Sequence, residues 1–506
     1  MTTRPFTPAA LLIIAITGAA MAGTPTKPFE AVPELQGLTA RWAEAAEAFR
    51  VPGYSVAVIK DGAIIALEGF GRRDVGDDKP VTPDSMFYIA SLTKTYTTMG
   101  VLALVDDGKV ELDAPVKRYL PRFELADADA TASITVRDLL CHKPGINSFA
   151  LDFLESYTGQ ISEDRFYEWL SVIEPTMQVE YSNQHFTLVG RIIDAVSGKP
   201  WQEFLDERIF DPAGMFRTTT YASTMYGDAD AAFPMEGSKD AWSRCAIRKS
   251  DRVMHAAGGM GTSAADGARW VMLQLNNGEI GGTRVISKKM SVESHKLQSK
   301  DPRARDPLDR IEGYGLAWFR GAYRGHGPYF EHNGDYVGAR AHLSFIPGSG
   351  IGVVMLANSS PGGYALSDIV SIDIYDRLLG ETGHPDLLPM FVNRAGQIFA
   401  RMDGDQTART PVTATTLSAG LDLYVGTFTS RLWGDLSIAV EDGALTGHIG
   451  DMPITIVSTG GKDQIALSTP DGTYDTSFVI SDEGSIDAVI VTIPEFDPIR
   501  FVRVPS

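Results

Sequence analysis

Ser91-Leu92-Thr93-Lys94, inside FYIASLTKTYTT (87–98), is the only S-x-x-K in the 506-residue chain. On a helix, positions i and i+3 share a face, so the Lys94 amine can reach the Ser91 hydroxyl. A serine hydroxyl is a weak nucleophile until a neighbouring base takes its proton. A helix start adds backbone N–H groups and the positive end of the dipole, both favourable to developing negative charge. Serine is also an ordinary helix cap, so the tetrad alone decides little. Two further groupings add weight. Tyr181-Ser182-Asn183 is the only Y-x-N among 17 tyrosines. His332-Asn333-Gly334, followed by Asp335, lies just before an apolar strand pair. A serine, a lysine and a tyrosine of this kind suit acyl transfer through a covalent intermediate.

The elements that must position these residues are readable in outline. LTKTYTTMGVLALVDDG reads as a helix with Met99, Leu102 and Val105 on one side and a stop at Gly108. YSNQHFTLVGRIIDAVSG reads as a loop entering a helix that closes at Gly198. GYSVAVIKDGAIIALEGFG (53–71) and LSFIPGSGIGVVMLAN each read as a hairpin. Strands at both ends with helices between predict an α+β fold on an antiparallel sheet. Residues 386–419 read as a connection containing one possible helix, MFVNRAGQIFARM. From 420 to 506, short alternating runs separated by Glu-Asp-Gly and Pro-Asp-Gly predict a small all-β barrel or sandwich.

Composition narrows the classes of function. A net charge of −19 disfavours a nucleic-acid surface and adsorption to an anionic membrane. No HExxH, no zinc-like Cys/His cluster and no G-x-S-x-G elbow occurs. No metal or organic cofactor is therefore expected, and the expected partner is a small-molecule or peptide substrate. Residues 1–22 combine Arg4, the apolar AALLIIAITGAA and the small-x-small Ala20-Met21-Ala22, the pattern of a cleaved export signal. The expectation is a periplasmic or secreted protein without a stable membrane anchor. Cys141 and Cys245 are the only cysteines, and spacing leaves their pairing open. His142 reads as a locally hydrogen-bonded residue, Tyr96 as packing, and His448-Ile449-Gly450 as a coincidental second H-x-G.

The order S-x-x-K, Y-x-N, H-x-G resembles that of the serine β-lactamase-related hydrolases: class C β-lactamases, D-Ala-D-Ala carboxypeptidases, D-aminopeptidases and related esterases. ITVRDLLCHKPGI (134–146), RIIDAVSGKPWQEFLDERIFDPAGMFRT (191–218) and AAGGMGTSAADGARWVMLQLNNG (256–278) are similar to connecting segments of that family. The likeness spans roughly residues 30–380, and the C-terminal part resembles the lipocalin-like β domain of some of its peptidases. It implies a β-lactamase/transpeptidase-like domain over 23–385, an antiparallel sheet with an α-helical lobe, ahead of the barrel. It also implies roles. Ser91 is the nucleophile. Lys94 takes part in proton transfer and holds Tyr181 ionised. Tyr181 is general base for acylation and acid for the leaving group, with Lys94 the alternative base. Asn183 orients the substrate amide and Lys94. His332 of the third motif joins the catalytic residues, Asn333, Gly334 and Asp335 bind substrate, and the oxyanion sits between the backbone N–H groups of Ser91 and Asp335. The lactamase branch has K-T-G at that motif, and His332 stands in place of its Lys. A neutral imidazole attracts a substrate carboxylate less. Amides or esters of small D-amino-acid peptides are therefore expected ahead of β-lactams, with a carboxylesterase, a β-lactamase or a slowly acylating penicillin sensor as alternatives.

Overall fold

The computed structural model describes residues 27–505 apart from 76–78, 239–240, 301–310, 409, 461, 470–471, 482–483 and 494–496. The 1–22 segment read as an export signal lies outside the described residues. Seven antiparallel strands form the main sheet: β1 (Gly53–Lys60), β2 (Ala63–Gly71), β3 (Ile311–Tyr314), β4 (Phe319–Tyr323), β5 (His326–Tyr336), β6 (Ala339–Ile346) and β7 (Ile351–Ala357). Their order is β3-β4-β5-β6-β7-β1-β2, so the first strand pairs with the last in the sheet's interior. Both predicted hairpins are present. The first turns through Asp61 and Gly62, each with positive φ, as a tight two-residue turn requires.

The helices of the main domain include α1 (Leu38–Ala48), α2 (Thr93–Asp106), α3 (Phe149–Phe153), α4 (Asn183–Ser197), α5 (Ala264–Leu275), α6 (Gly362–Leu379) and α7 (Leu388–Ala408). The pleat divides β1 between two cores. Ala57 and Ile59 join α2, α4 and α5 on one side, while Val56 and Val58 join α1, α6 and α7 on the other. Burial on both faces explains why β1 lacks a polar alternation. Helix α2 is enclosed almost all round, down to its threonines and Lys94, a placement typical of a central helix. The stretch read as a connection is docked: Phe391, Ala395 and Phe399 of α7 are buried in the second core.

The C-terminal strands β8 (Gly426–Ser430), β9 (Gly434–Glu441), β10 (Ala444–Ile449), β11 (Met452–Ser458), β12 (Ile465–Thr469), β13 (Gly472–Ile480), β14 (Ile486–Thr492) and β15 (Ile499–Arg503) form an eight-stranded barrel. Pairing of β11 with β12 and of β8 with β15 closes it, which removes exposed edges. Leu436, Ile454, Leu467, Val489 and Phe501 pack its interior. The cavity at its mouth holds only about 20 Å³ and is lined in part by Phe153 of α3. That is room for about one water and not for an organic ligand. Phe153 and Ala150 of the main domain thus belong to the barrel's core. Cys141 and Cys245 are both buried and free.

Candidate active site

Ser91 sits on a 3₁₀ turn (Ala90–Leu92) that runs directly into α2. Ala90 adopts φ 45°, a left-handed conformation that costs a residue with a Cβ about 1–3 kcal/mol. The i, i+3 spacing works as expected: Lys94 Nζ lies 2.9 Å from Ser91 Oγ. The same nitrogen donates to Asn183 Oδ1 at 2.6 Å and to the Ala257 carbonyl at 2.8 Å. Asn183 is the first residue of α4, whose start is capped by the Ser182 hydroxyl accepting the Gln184 N–H. The Y-x-N motif therefore projects its tyrosine from the loop and its asparagine from the helix towards one point.

Tyr181 is hydrogen-bonded to Ser91, and its ring lies 4.8 Å from Lys94 Nζ. Ser91, Lys94, Tyr181 and Asn183 are thus gathered around one hydroxyl. Burial sets the proton balance among them. It brings the Lys94 ammonium down from 10.5 to about 7, with Asp152 pulling it up and Lys249 pushing it down. Burial also raises the Tyr181 phenol well above its usual 10, against the opposing hydrogen bond from Ser91. Both directions favour the free amine of Lys94 and the protonated phenol of Tyr181.

The third motif divides by the alternation of β5. Gly334 faces the Ser91 turn: a Cβ there would lie 1.9 Å from the Ile89 carbonyl oxygen. Only glycine permits that approach. Strand β4 pairs with β5 only as far as Glu331, so among the described residues no strand pairs with the β5 backbone beyond it on that edge. His332 is buried, and both ring nitrogens are engaged. Nδ1 donates to the Asn333 carbonyl at 2.8 Å, which makes Nε2 an acceptor for the Tyr314 hydroxyl at 3.0 Å. Burial, with Lys94⁺ nearby, lowers His332 to about 3, so it is neutral at working pH. Asn333 points to the opposite face, where its amide oxygen accepts from Arg340 at 2.9 Å and His342 Nδ1 at 2.8 Å. One N–H of the Asn333 amide donates to Glu331 Oε1 at 3.2 Å. The Asp335 carboxylate is exposed and accepts from the Ser360 hydroxyl at 2.6 Å.

Several participants were not singled out from sequence. The Ala257 carbonyl was hidden in a segment known only by its glycines. His185 Nε2 accepts the Ile146 N–H at 3.1 Å, so its Nδ1 donates to His142 Nδ1 at 2.9 Å. His142 Nδ1 also accepts the Ser182 N–H at 3.3 Å, and its ring packs 4.4 Å from that of Tyr181. The pair braces the Y-x-N loop from behind. Beside it lies a second set, the half-buried Asp152 with the buried Glu155 and Lys249. Burial raises Glu155 to about 8 and lowers Lys249 to about 7.

Comparison with known proteins agrees with this geometry. The Beta-lactamase family model matches residues 39–376. Penicillin-binding protein 4 of Amycolatopsis lactamdurans is 30% identical over 363 residues, 68% of this chain and 90% of the relative. The octameric penicillin-binding protein homologue from Pyrococcus abyssi superposes with a TM-score of 0.59 at 24% identity, over 92% of this chain and 99% of that one. A class C β-lactamase from Rhodobacter sphaeroides gives 0.54 at 21%, over 67% and 99% respectively. The two superpositions carry the fold: the second spans the main domain's share of the chain, and the first nearly all of it. The chain belongs to the Beta-lactamase family, with the β-lactamase/transpeptidase-like fold followed by a closed eight-stranded barrel.

Proposed function

We propose that the protein is an exported serine hydrolase that cleaves amide or ester bonds through an acyl-enzyme on Ser91. The observation that carries the reading is the convergence of Lys94 Nζ and the Tyr181 phenol on Ser91 Oγ. In acylation the Ser91 proton passes to the free amine of Lys94 as Oγ attacks the substrate carbonyl carbon. The resulting oxyanion lies between the backbone N–H groups of Ser91 and Asp335, where β5 approaches the turn. Such donors act strongly because they are fixed before charge develops. Tyr181 then delivers its proton to the leaving nitrogen or oxygen, and the carbonyl reforms as that bond breaks. The Lys94 ammonium then returns its proton to Tyr181; water attacks the acyl carbon, giving its proton to the freed Lys94 amine, and Lys94 passes that proton to Ser91 Oγ as the acyl bond breaks. Asn183 keeps Lys94 aimed at Ser91 and has its amide NH₂ left for the substrate.

Small D-amino-acid peptides or esters rank ahead of β-lactams, since His332 supplies neither charge nor a free N–H to a substrate carboxylate. Turnover of a D-peptide, ester and cephalosporin panel tests this ranking. A kcat/KM for nitrocefin above that of every ester and peptide would reverse it. N-terminal sequencing of expressed protein tests export, with a mature start near Gly23 expected and Met1 on cytosolic protein contrary to it. The relative named penicillin-binding protein 4 favours a second reading, in which acylation outlasts turnover. A stoichiometric burst followed by no further product would select it.

A further inference from the structure

Besides its contacts to Phe153 and Glu168, the barrel holds two loops of the main domain. The turn between β10 and β11 carries Gly450 and Asp451. The Asp451 N–H donates to the Thr158 carbonyl at 2.9 Å, and a Cβ at Gly450 would lie 2.0 Å from that same oxygen. The Asp451 carboxylate accepts from the Ser250 hydroxyl and from Arg252, whose Nε lies at 3.1 Å. One residue of the barrel thus holds the end of the 154–158 segment and the start of the 250–253 loop together.

Those two loops converge on the Ser156 carbonyl. It accepts from the buried Lys249 Nζ at 2.7 Å and from the Tyr336 hydroxyl at 3.1 Å. Lys249 Nζ also lies 4.4 Å from the centre of the Tyr336 ring, an attraction that strengthens out of water. The Tyr336 ring stacks 5.3 Å from Tyr157 and meets Tyr88 edge-on at 5.4 Å. Tyr336 follows Asp335 on β5, and Tyr88 lies three residues before Ser91. Tyr88 in turn donates to the carbonyl of Gly258, next to the Ala257 carbonyl that holds Lys94.

We propose that Asp451 is a positioning residue for acylation: from the barrel it sets the two loops whose meeting point, the Ser156 carbonyl, anchors Tyr336 and the end of β5. This rests on the reading of Ser91 as nucleophile and Asp335 N–H as oxyanion donor. Displacement of that N–H by about 1 Å is enough to cost up to a hundredfold in rate.

The test uses the full chain with Asp451→Asn, which keeps the turn's shape, Asp451→Ala, and Arg431→Ala, which breaks a separate barrel contact to Glu168. Hydrogen exchange of a peptide covering 332–337 and the rate of fluorophosphonate labelling at Ser91 are measured together. Both Asp451 variants should lose protection at 332–337 and label about tenfold more slowly at saturating probe, with little change in apparent probe affinity. Arg431→Ala should match the parent in both. Unchanged exchange at 332–337 in the Asp451 variants overturns the proposal, whatever labelling does. Lost protection in a protein whose parent never labels would keep the coupling and refute the nucleophile instead.

Discussion

The Tyr314 hydroxyl donates to His332 Nε2 at 3.0 Å, and this bond fixes what the histidine of the H-x-G motif is able to do. With Nδ1–H committed to the Asn333 carbonyl, the ring is a neutral, fully satisfied brace between β3 and β5. His332→Lys should therefore bury a second ammonium close to Lys94. Like charge disfavours protonation of its neighbour, so the pH midpoint of Ser91 labelling should move below about 7, and the melting temperature should fall by several degrees. An unshifted midpoint with unchanged melting would mean that position 332 opens to solvent.

Proton balance gives a sharper test of which group is the base. Lys94, lowered by burial to about 7, is protonated and unable to accept below that pH and free above it. The labelling rate should rise through about pH 7 and then level. A rate that keeps climbing past pH 10 would instead mark the buried phenol of Tyr181 as the titrating base. Lys94→Arg, whose charge does not titrate in the working range, should be inactive throughout.

The contact between Gly334 and the Ile89 carbonyl makes a third prediction. Gly334→Ala must push β5 away from the Ser91 turn, because backbone stands on the other side. Labelling should drop by about a hundredfold or more while circular dichroism stays native. Labelling within about threefold of the parent would show that the strand does not carry the oxyanion site.

How much of this was readable beforehand follows from the range of each interaction. The Ser91–Lys94 pair is local, set by helical spacing, and the hairpins and the helix stop at Gly198 are local too. The His142–His185 brace, the Ala257 carbonyl and the Tyr314–His332 bond join residues from separate elements, and no periodicity announces them. The direction of Asn333 follows from the strand: adjacent residues face opposite ways, so His332 and Asn333 point to different faces of β5. Residues 386–419 looked like a linker because Pro, Thr and Gly flank them, yet Phe391, Ala395 and Phe399 at i, i+4 and i+8 give α7 an apolar stripe that docks.

The barrel junction yields a stability prediction separate from Asp451. Phe153 is 5% exposed and packs 6.1 Å from Trp433 at the barrel mouth. Phe153→Ala should cost about 3–5 kcal/mol at that junction, seen as a lower melting transition. An unchanged transition would mean that the two bodies do not share this core in solution.

The nucleophile itself is the most direct point of test. Intact-mass analysis after fluorophosphonate treatment should find a single adduct, mapped by digestion to Ser91, and Ser91→Ala should lose both the adduct and turnover by several orders of magnitude. An adduct on another serine, or undiminished turnover in Ser91→Ala, would contradict the account.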